Sequence, residues 1–241
     1  METPASHCKE ETELLSLLKE AHEILFNALN SLSGTTPPTH ESSFLCSAAD
    51  SACVAADGYI LLRENGRVNA SKLLIRPMVE AALFATAVVK RKGFYFRKRF
   101  SELVEEGKLR GNAPQVKAQV EKASDDLAAF LQKNDPTYPI NKTVVTVFEA
   151  AHEADLEGVY QVFYRLYCQY THGNRNAACG QLDGLTDPHD TFLATWCLWQ
   201  MLVLLPQHTP ANIPSLTSLE DRFNRANANM LTASGANGPT K

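Results

Sequence analysis

An all-α protein, a bundle of helices around one core, is what this chain of 241 residues predicts. Apolar residues recur at three- and four-residue steps over nearly the whole length, while alternating runs of strand type are scarce. Clusters of Gly, Pro and Ser then cut the periodic stretches into helix-sized pieces. Apolar content of 44% and charged content of 21% are those of an ordinary globular chain, long enough to bury a substantial core. The expected layout is an N-terminal helix and linker over 1–40, a bundle domain over 41–232 and a disordered tail over 233–241.

The first helix is "EETELLSLLKEAHEILFNALNSL", with acids at its start as the helix dipole favours. Leu14, Leu17, Leu18, Ala21, Leu25, Ala28 and Leu29 make its apolar stripe. "SGTTPPTHES" breaks it. A second helix over 42–64 ends at "ENG", where Gly66 can adopt the left-handed cap. "NASKLLIRPMVEAALFATAVVKRK" reads as a third, capped by Asn69 or Ser71 and kinked by Pro77, which removes one backbone hydrogen bond. "GFYFRKRFSELVEEGKL" and "APQVKAQVEKASDDLAAFLQKN" are two more, followed by the two-proline loop "NDPTYPINKT". The stretch from Val145 to Asn174 reads as one long helix, or two with a break near Gly158. "RNAACGQLDGLTDPHD" reads as a loop, "TFLATWCLWQMLVLL" as a buried helix, and "SLEDRFNRANANML" as a last amphipathic one.

The net charge of -4 argues against a generally basic, DNA-coating protein, but not against a local basic patch. None of the six cysteines stands in a Cys-x-x-Cys pair, so neither a zinc site nor a thioredoxin-like motif is expected. The start "METPASHCKEETELL" lacks a signal-peptide layout, and "FLATWCLWQMLVLLP" is too short to span a bilayer comfortably. A reduced, cytoplasmic protein with no membrane segment is the expectation.

Three segments could carry chemistry. In "YRLYCQYTHGN", Arg165 and His172 lie seven positions apart and share a helix face, while Tyr164, Cys168 and His172 form a neighbouring stripe. In "RPMVE", Arg76 and Glu80 are one turn apart. In "KRKGFYFRKRF", Lys90, Arg91, Lys92, Arg97, Lys98 and Arg99 are interleaved with three Phe and one Tyr. Over 90–110 there are eight Lys/Arg against three Glu, so the rest of the chain carries -9. Cations among aromatics suit single-stranded nucleic acid, with phosphates on the cations and rings on unpaired bases. The plain reading of the same segment is a helix end whose cations complement the dipole while its aromatics pack inward. On the Arg165/His172 face, a neutral histidine could take the proton of a ribose 2′-hydroxyl and the arginine could hold the phosphate, with no metal or cofactor. Alternatively His172 caps a helix end and Arg165 lies along the bundle surface.

An Arg-x4–6-His pattern near a helix end in an all-helical bundle resembles the HEPN superfamily. That resemblance implies a metal-independent ribonuclease site, commonly completed across a homodimer. More closely, "GRVNASKLLIRPMVEAALFA", "RKRF" and "YRLYCQYTHGN" resemble a bacterial helical family of the DUF5677 type, over roughly residues 45–205. Its polar positions fall on Arg76, Glu80, Tyr164 and His172. Cys168 stands where that family usually has serine, and Pro77 replaces a small residue. Leu166 follows Arg165 where active HEPN nucleases often have a polar residue. Two readings therefore stand. One is RNA binding with metal-independent cleavage: His172 as base, Arg165 on the phosphate, Arg76, Glu80 and Tyr164 assisting. The other is a non-catalytic module for a protein partner or nucleotide, with the same residues forming a packing network.

Other chemistries are weaker fits. His189–Asp190 suggests a metal-dependent phosphohydrolase, but "DPHDTF" looks like a loop with Asp190 as helix N-cap. Glu149 and His152 make a single Glu-x-x-His step, where a di-iron bundle needs two, so "EAAHEAD" reads as a solvated face. Cys168 with His172, on one helix, lacks an orienting third group for nucleophilic catalysis.

Overall fold

A computed structural model describes residues 4–34, 39–109, 113–134, 145–171 and 187–233, all in helices, turns and short connections with no strand among them. Four long helices form the centre: α1 (Pro4–Ser31), α2 (His40–Glu64), α4 (Ile75–Lys90) and α10 (Asp187–His208). α1 lies along α10 and α2, α4 lies along α2 and α10, and α10 also touches α2 across the middle. The periodic stripe of α1 explains its place, since Leu14, Leu17, Leu18, Ala21, Leu25 and Ala28 are all buried. In α4 the run Ala81–Val88 is buried on nearly every side, as a helix apolar all round must be.

Around this centre sit smaller elements. α3 (Val68–Ser71) and a 3₁₀ turn (Lys72–Leu74) lead into α4. α5 (Phe94–Leu109) and α6 (Pro114–Asn134) pair as a hairpin, joined by Phe96 and Phe130 with ring centres 4.6 Å apart. Leu103, Val116, Leu127 and Leu131 are buried there, apart from the main core. α7 (Val147–Glu153) packs on α4. α8 (Glu157–Val159), a π-turn (Tyr160–Tyr164) and α9 (Arg165–Thr171) follow. α11 (Thr217–Ala233) rests on α1 and α10, with Phe223 stacked on Phe192 at 4.7 Å.

Several boundaries differ from the sequence expectation. Pro77 does not kink a long helix; it is the third residue of α4, in the first turn, where a missing N–H costs least. The helical turn before it is capped by neither Asn69 nor Ser71, because Arg67 is its N-cap and Ser71 donates to the Val68 carbonyl. The break after α7 falls at Ala154–Leu156 rather than Gly158, and Asp155 takes the left-handed conformation there (φ 57°). α10 starts at Asp187 and continues through Pro206 to His208. The end of α2 is as expected: Gly66 has φ 69°, and Arg67 N–H returns to the Leu62 carbonyl. Gly93 (φ 89°) makes the turn into α5, where a Cβ would meet the Phe130 ring at 2.8 Å. Among the described residues, α2 is long and apolar enough to cross a membrane by length and composition; here Leu45, Ala49, Ala52, Ala56 and Tyr59 are buried in the bundle. The predicted two-proline loop (135–143 of it) and the tail from 234 lie outside the described residues.

Candidate functional site

The π-turn prepares the first cluster. Arg165 N–H reaches back to the Tyr160 carbonyl, and this widened turn precedes α9, a feature often found at functional sites. Tyr164, at its end, is buried against α4 and donates its hydroxyl to Glu80 Oε1 at 2.6 Å. Arg76 Nε donates to the same oxygen at 3.0 Å, and its guanidinium lies 5.5 Å from the Tyr164 ring centre. Tyr160 stacks on Tyr164 at 5.2 Å, and Phe148 meets Tyr160 edge-on at 5.2 Å. Burial pushes the Tyr164 phenol well above its usual range, and the bond to and charge of Glu80 push the same way, so it remains a neutral donor. Burial lowers the Arg76 pKa, but Glu80, with Tyr164 and Cys168, outweighs it, and Arg76 stands above its ordinary value. The structure thus brings together Arg76, Glu80 and Tyr164 with Cys168 beside them.

Arg165 is not part of that cluster. One residue on, it points to solvent and donates to Gln161 Oε1 at 3.1 Å on its own helix. His172 lies outside the described residues.

The six cations of the basic segment have different surroundings. Lys90 caps the end of α7, donating to the Ala154 carbonyl at 2.7 Å and to Asp155 at 3.2 Å. Arg91 pairs with Glu153 at 3.2 Å, and Lys92 is exposed. Arg97 is buried, held between Glu149 (3.3 Å) and Glu153 (3.2 Å) and 5.3 Å from the Phe94 ring centre. Burial lowers its pKa, while the two carboxylates oppose this. The "EAAHEAD" stretch is therefore no simple solvated face, because two of its acids tie α7 to α5. Lys98 lies 4.2 Å from the Phe84 ring centre and pairs with Glu102 at 3.5 Å; Arg99 pairs with Glu102 at 3.4 Å.

Lys98 and Arg99 line a groove of about 480 Å³ between α2, α4 and α5. Its other walls include Tyr95, Glu80 and a stripe of hydroxyls, Ser43, Ser47 and Ser51. Glu80 belongs both to the groove and to the Arg76–Tyr164 cluster, so the two features share one carboxylate. The serines were not singled out from the sequence, although their four-residue spacing on a helix is legible there.

A second polar network is buried deeper. Lys72 Nζ lies 3.0 Å from Asp190 Oδ2, with side chains 10% and 1% exposed, and Tyr167 donates its hydroxyl to Asp190 Oδ1. Tyr59 and Thr191 share a hydrogen bond of 2.9 Å next to it. Asp190 is therefore no N-cap but a first-turn residue of α10 aimed into the core. Sequence reading missed Lys72 because it looks like an ordinary surface cation. Among the described residues, no three His, Cys, Asp or Glu side chains converge as a metal site requires. Cys46, Cys53, Cys168 and Cys197 are free thiols. Burial, then the charges of Asp50 and Asp57, push Cys53 up to about 11, and burial also raises Cys197, so neither is poised as a nucleophile.

No curated protein and no solved structure matches the chain. One family does, over residues 43–183, a span that contains the groove serines, the Arg76–Glu80 turn, the basic segment and the Tyr164 stripe. That span is more than half of the chain, which therefore belongs to the family described as "Family of unknown function (DUF5677)".

Proposed function

We propose that the protein binds single-stranded RNA along the α2–α4–α5 groove and cleaves it without a metal at the Arg165–His172 face. The supporting observation is the shared carboxylate. Glu80 lines a groove carrying Lys98, Arg99, Tyr95 and three serine hydroxyls, and it also holds Tyr164, the residue directly before Arg165. Phosphates suit the cations and hydroxyls, while an aromatic ring suits an unpaired base. In the cleavage step the ribose 2′-hydroxyl gives its proton to His172 and attacks phosphorus. The P–O5′ bond breaks and the 5′-oxygen takes a proton from water, yielding a 2′,3′-cyclic phosphate and a 5′-hydroxyl end. Exposed Arg165 neutralises charge gathering on the phosphate. Two protomers, as the HEPN resemblance implies, complete the site.

A second reading has its own support. Arg76, Glu80 and Tyr164 satisfy one another, as a packing network would, which fits a non-catalytic module for a nucleotide or protein partner. Cleavage of single-stranded RNA in excess EDTA separates the two. Cleavage reading: wild type cuts, and His172→Ala and Arg165→Ala lose the activity by at least a hundredfold with unchanged thermal unfolding. Module reading: wild type binds RNA or nucleotide and leaves RNA intact. If neither cleavage nor RNA binding occurs and Lys98→Ala with Arg99→Ala changes nothing, the groove has no part in RNA recognition.

A further inference from the structure

Next to the groove, between α5, α6 and the start of α2, lies a smaller pocket of about 270 Å³. Tyr95 and Arg99 line both, so the pocket and the groove share a wall. His40 and Tyr95 stack in parallel at its edge, ring centres 5.3 Å apart and planes within 5°. Phe96 stands edge-on to both, at 6.0 Å from His40 and 5.3 Å from Tyr95. The rim carries Arg99, Lys122 and Gln119. Lys122 makes a surface pair with Asp126 at 2.9 Å, and such exposed pairs contribute little and exchange readily.

We propose that this pocket holds one unpaired nucleobase, stacked on the His40–Tyr95 pair, with its phosphate on Arg99 and Lys122. Size and chemistry agree. The volume is below that of most drug-sized ligand sites, so a single ring system fits better than a large ligand. Stacked aromatics beside two cations and an amide match the parts of a nucleotide: a flat π surface, a charged phosphate and a polar base edge. Packing of the hairpin accounts for the Phe96–Phe130 contact, but it does not require an exposed histidine laid parallel on a half-buried tyrosine at the pocket mouth. The base arrives on a strand lying in the groove or on a free nucleotide. The strand-borne form rests on the RNA reading above, and the free form does not.

The test is calorimetric titration of the full chain with AMP, ribose 5-phosphate and inorganic phosphate, alongside anisotropy of a labelled single-stranded RNA. AMP binds, and ribose 5-phosphate binds at least tenfold more weakly because it lacks the stacking ring. Tyr95→Leu and His40→Ala each weaken AMP by at least fivefold, while Tyr95→Phe retains it. His40→Ala carries the result if Tyr95→Leu unfolds, since His40 is exposed in the first turn of α2. Equal binding of AMP and ribose 5-phosphate, or AMP binding indifferent to both stacking variants, overturns the pocket. RNA bound as tightly by His40→Ala and by Tyr95→Leu as by wild type, with no AMP binding, leaves the groove reading standing and removes the pocket. Base-dependent AMP binding without RNA binding does the reverse, and makes the pocket a free-nucleotide site.

Discussion

Asp190 is the residue whose surroundings differ most from its sequence context. In "DPHDTF" a carboxylate ahead of an apolar helix has the signature of an N-cap. Its actual partners, Lys72 and Tyr167, come from segments distant in sequence, and no local pattern announces them. A nearly dry carboxylate of this kind depends on both. Lys72→Met removes the countercharge and costs about 3–5 kcal/mol. Tyr167→Phe removes one hydrogen bond to a charged group and costs about 1.5–3 kcal/mol. Urea unfolding of both single variants and the double should show clear non-additivity, because the two share one carboxylate. Full additivity would mean that they do not share it. The triad also sets a pH dependence. Burial, and then Asp190, hold the Tyr167 phenol well above the ordinary value of 10, so folding retains its proton. That contribution is whole below pH 10 and is lost as pH climbs toward the folded value, and Tyr167→Phe should flatten this part of the alkaline stability curve. By contrast, Arg76, Glu80 and Tyr164 were legible as candidates. The turn spacing of the first two is local information, and the third stands in the four-residue stripe with Cys168, which the resemblance then marked as a polar position.

The connection between α5 and α7 shows what helical periodicity conveys and what it omits. Periodicity placed the helices because the apolar stripe of each is a local property. It could not say that Arg97 of α5 would be neutralised by α7, because that depends on docking. Arg97 is buried between Glu149 and Glu153, and Glu149 also completes a capping box with Thr146, accepting from the Thr146 backbone N–H while its own N–H is bonded by the threonine hydroxyl. One glutamate thus starts α7 and holds α5. Thr146→Ala should cost about 1 kcal/mol through loss of the cap alone. Arg97→Met should cost more, about 3 kcal/mol, since Glu149 and Glu153 both lose this buried partner, although Glu153 keeps its pair with Arg91. Hydrogen exchange locates the difference: Arg97→Met should speed exchange in both α5 and α7, Thr146→Ala in α7 only. Faster exchange in α7 alone for both variants would show that Arg97 does not fasten the two helices. Pro77 illustrates the same limit, since a proline in an apolar periodic run reads as a kink until the preceding 3₁₀ turn shows that the helix begins there.

At the scale of the molecule, the family segment and the folding unit do not coincide. Residues 43–183 contain α4 and nearly all of α2, but α1 ends at Ser31 and α10 begins at Asp187. Two of the four central helices therefore lie outside the matched span, and they carry some of the most buried side chains, among them Leu17, Leu18, Leu25, Leu198 and Leu202. Nine of the buried residues of α2 and α4 are alanines, which allow close helix approach but supply little apolar area of their own. Small side chains on one side of an interface need large ones opposite, and α1 and α10 supply many of these in Leu17, Leu18, Leu25, Leu198 and Leu202. The fragment 43–183 should accordingly fail to melt cooperatively, whereas the full chain should do so, as followed by circular dichroism at 222 nm. A single Leu18→Ala change in the full chain should cost about 2–5 kcal/mol, because Leu18 is completely buried and its removal leaves a cavity in the core. A cooperative melt of the fragment near that of the full chain would mean that α2 and α4 close their own core and that the groove beside them stands without α1 and α10. If instead the fragment is unfolded, any RNA or nucleotide binding must be measured on the full chain, because the groove walls Ser47, Glu80 and Tyr95 depend on helices the family segment does not contain.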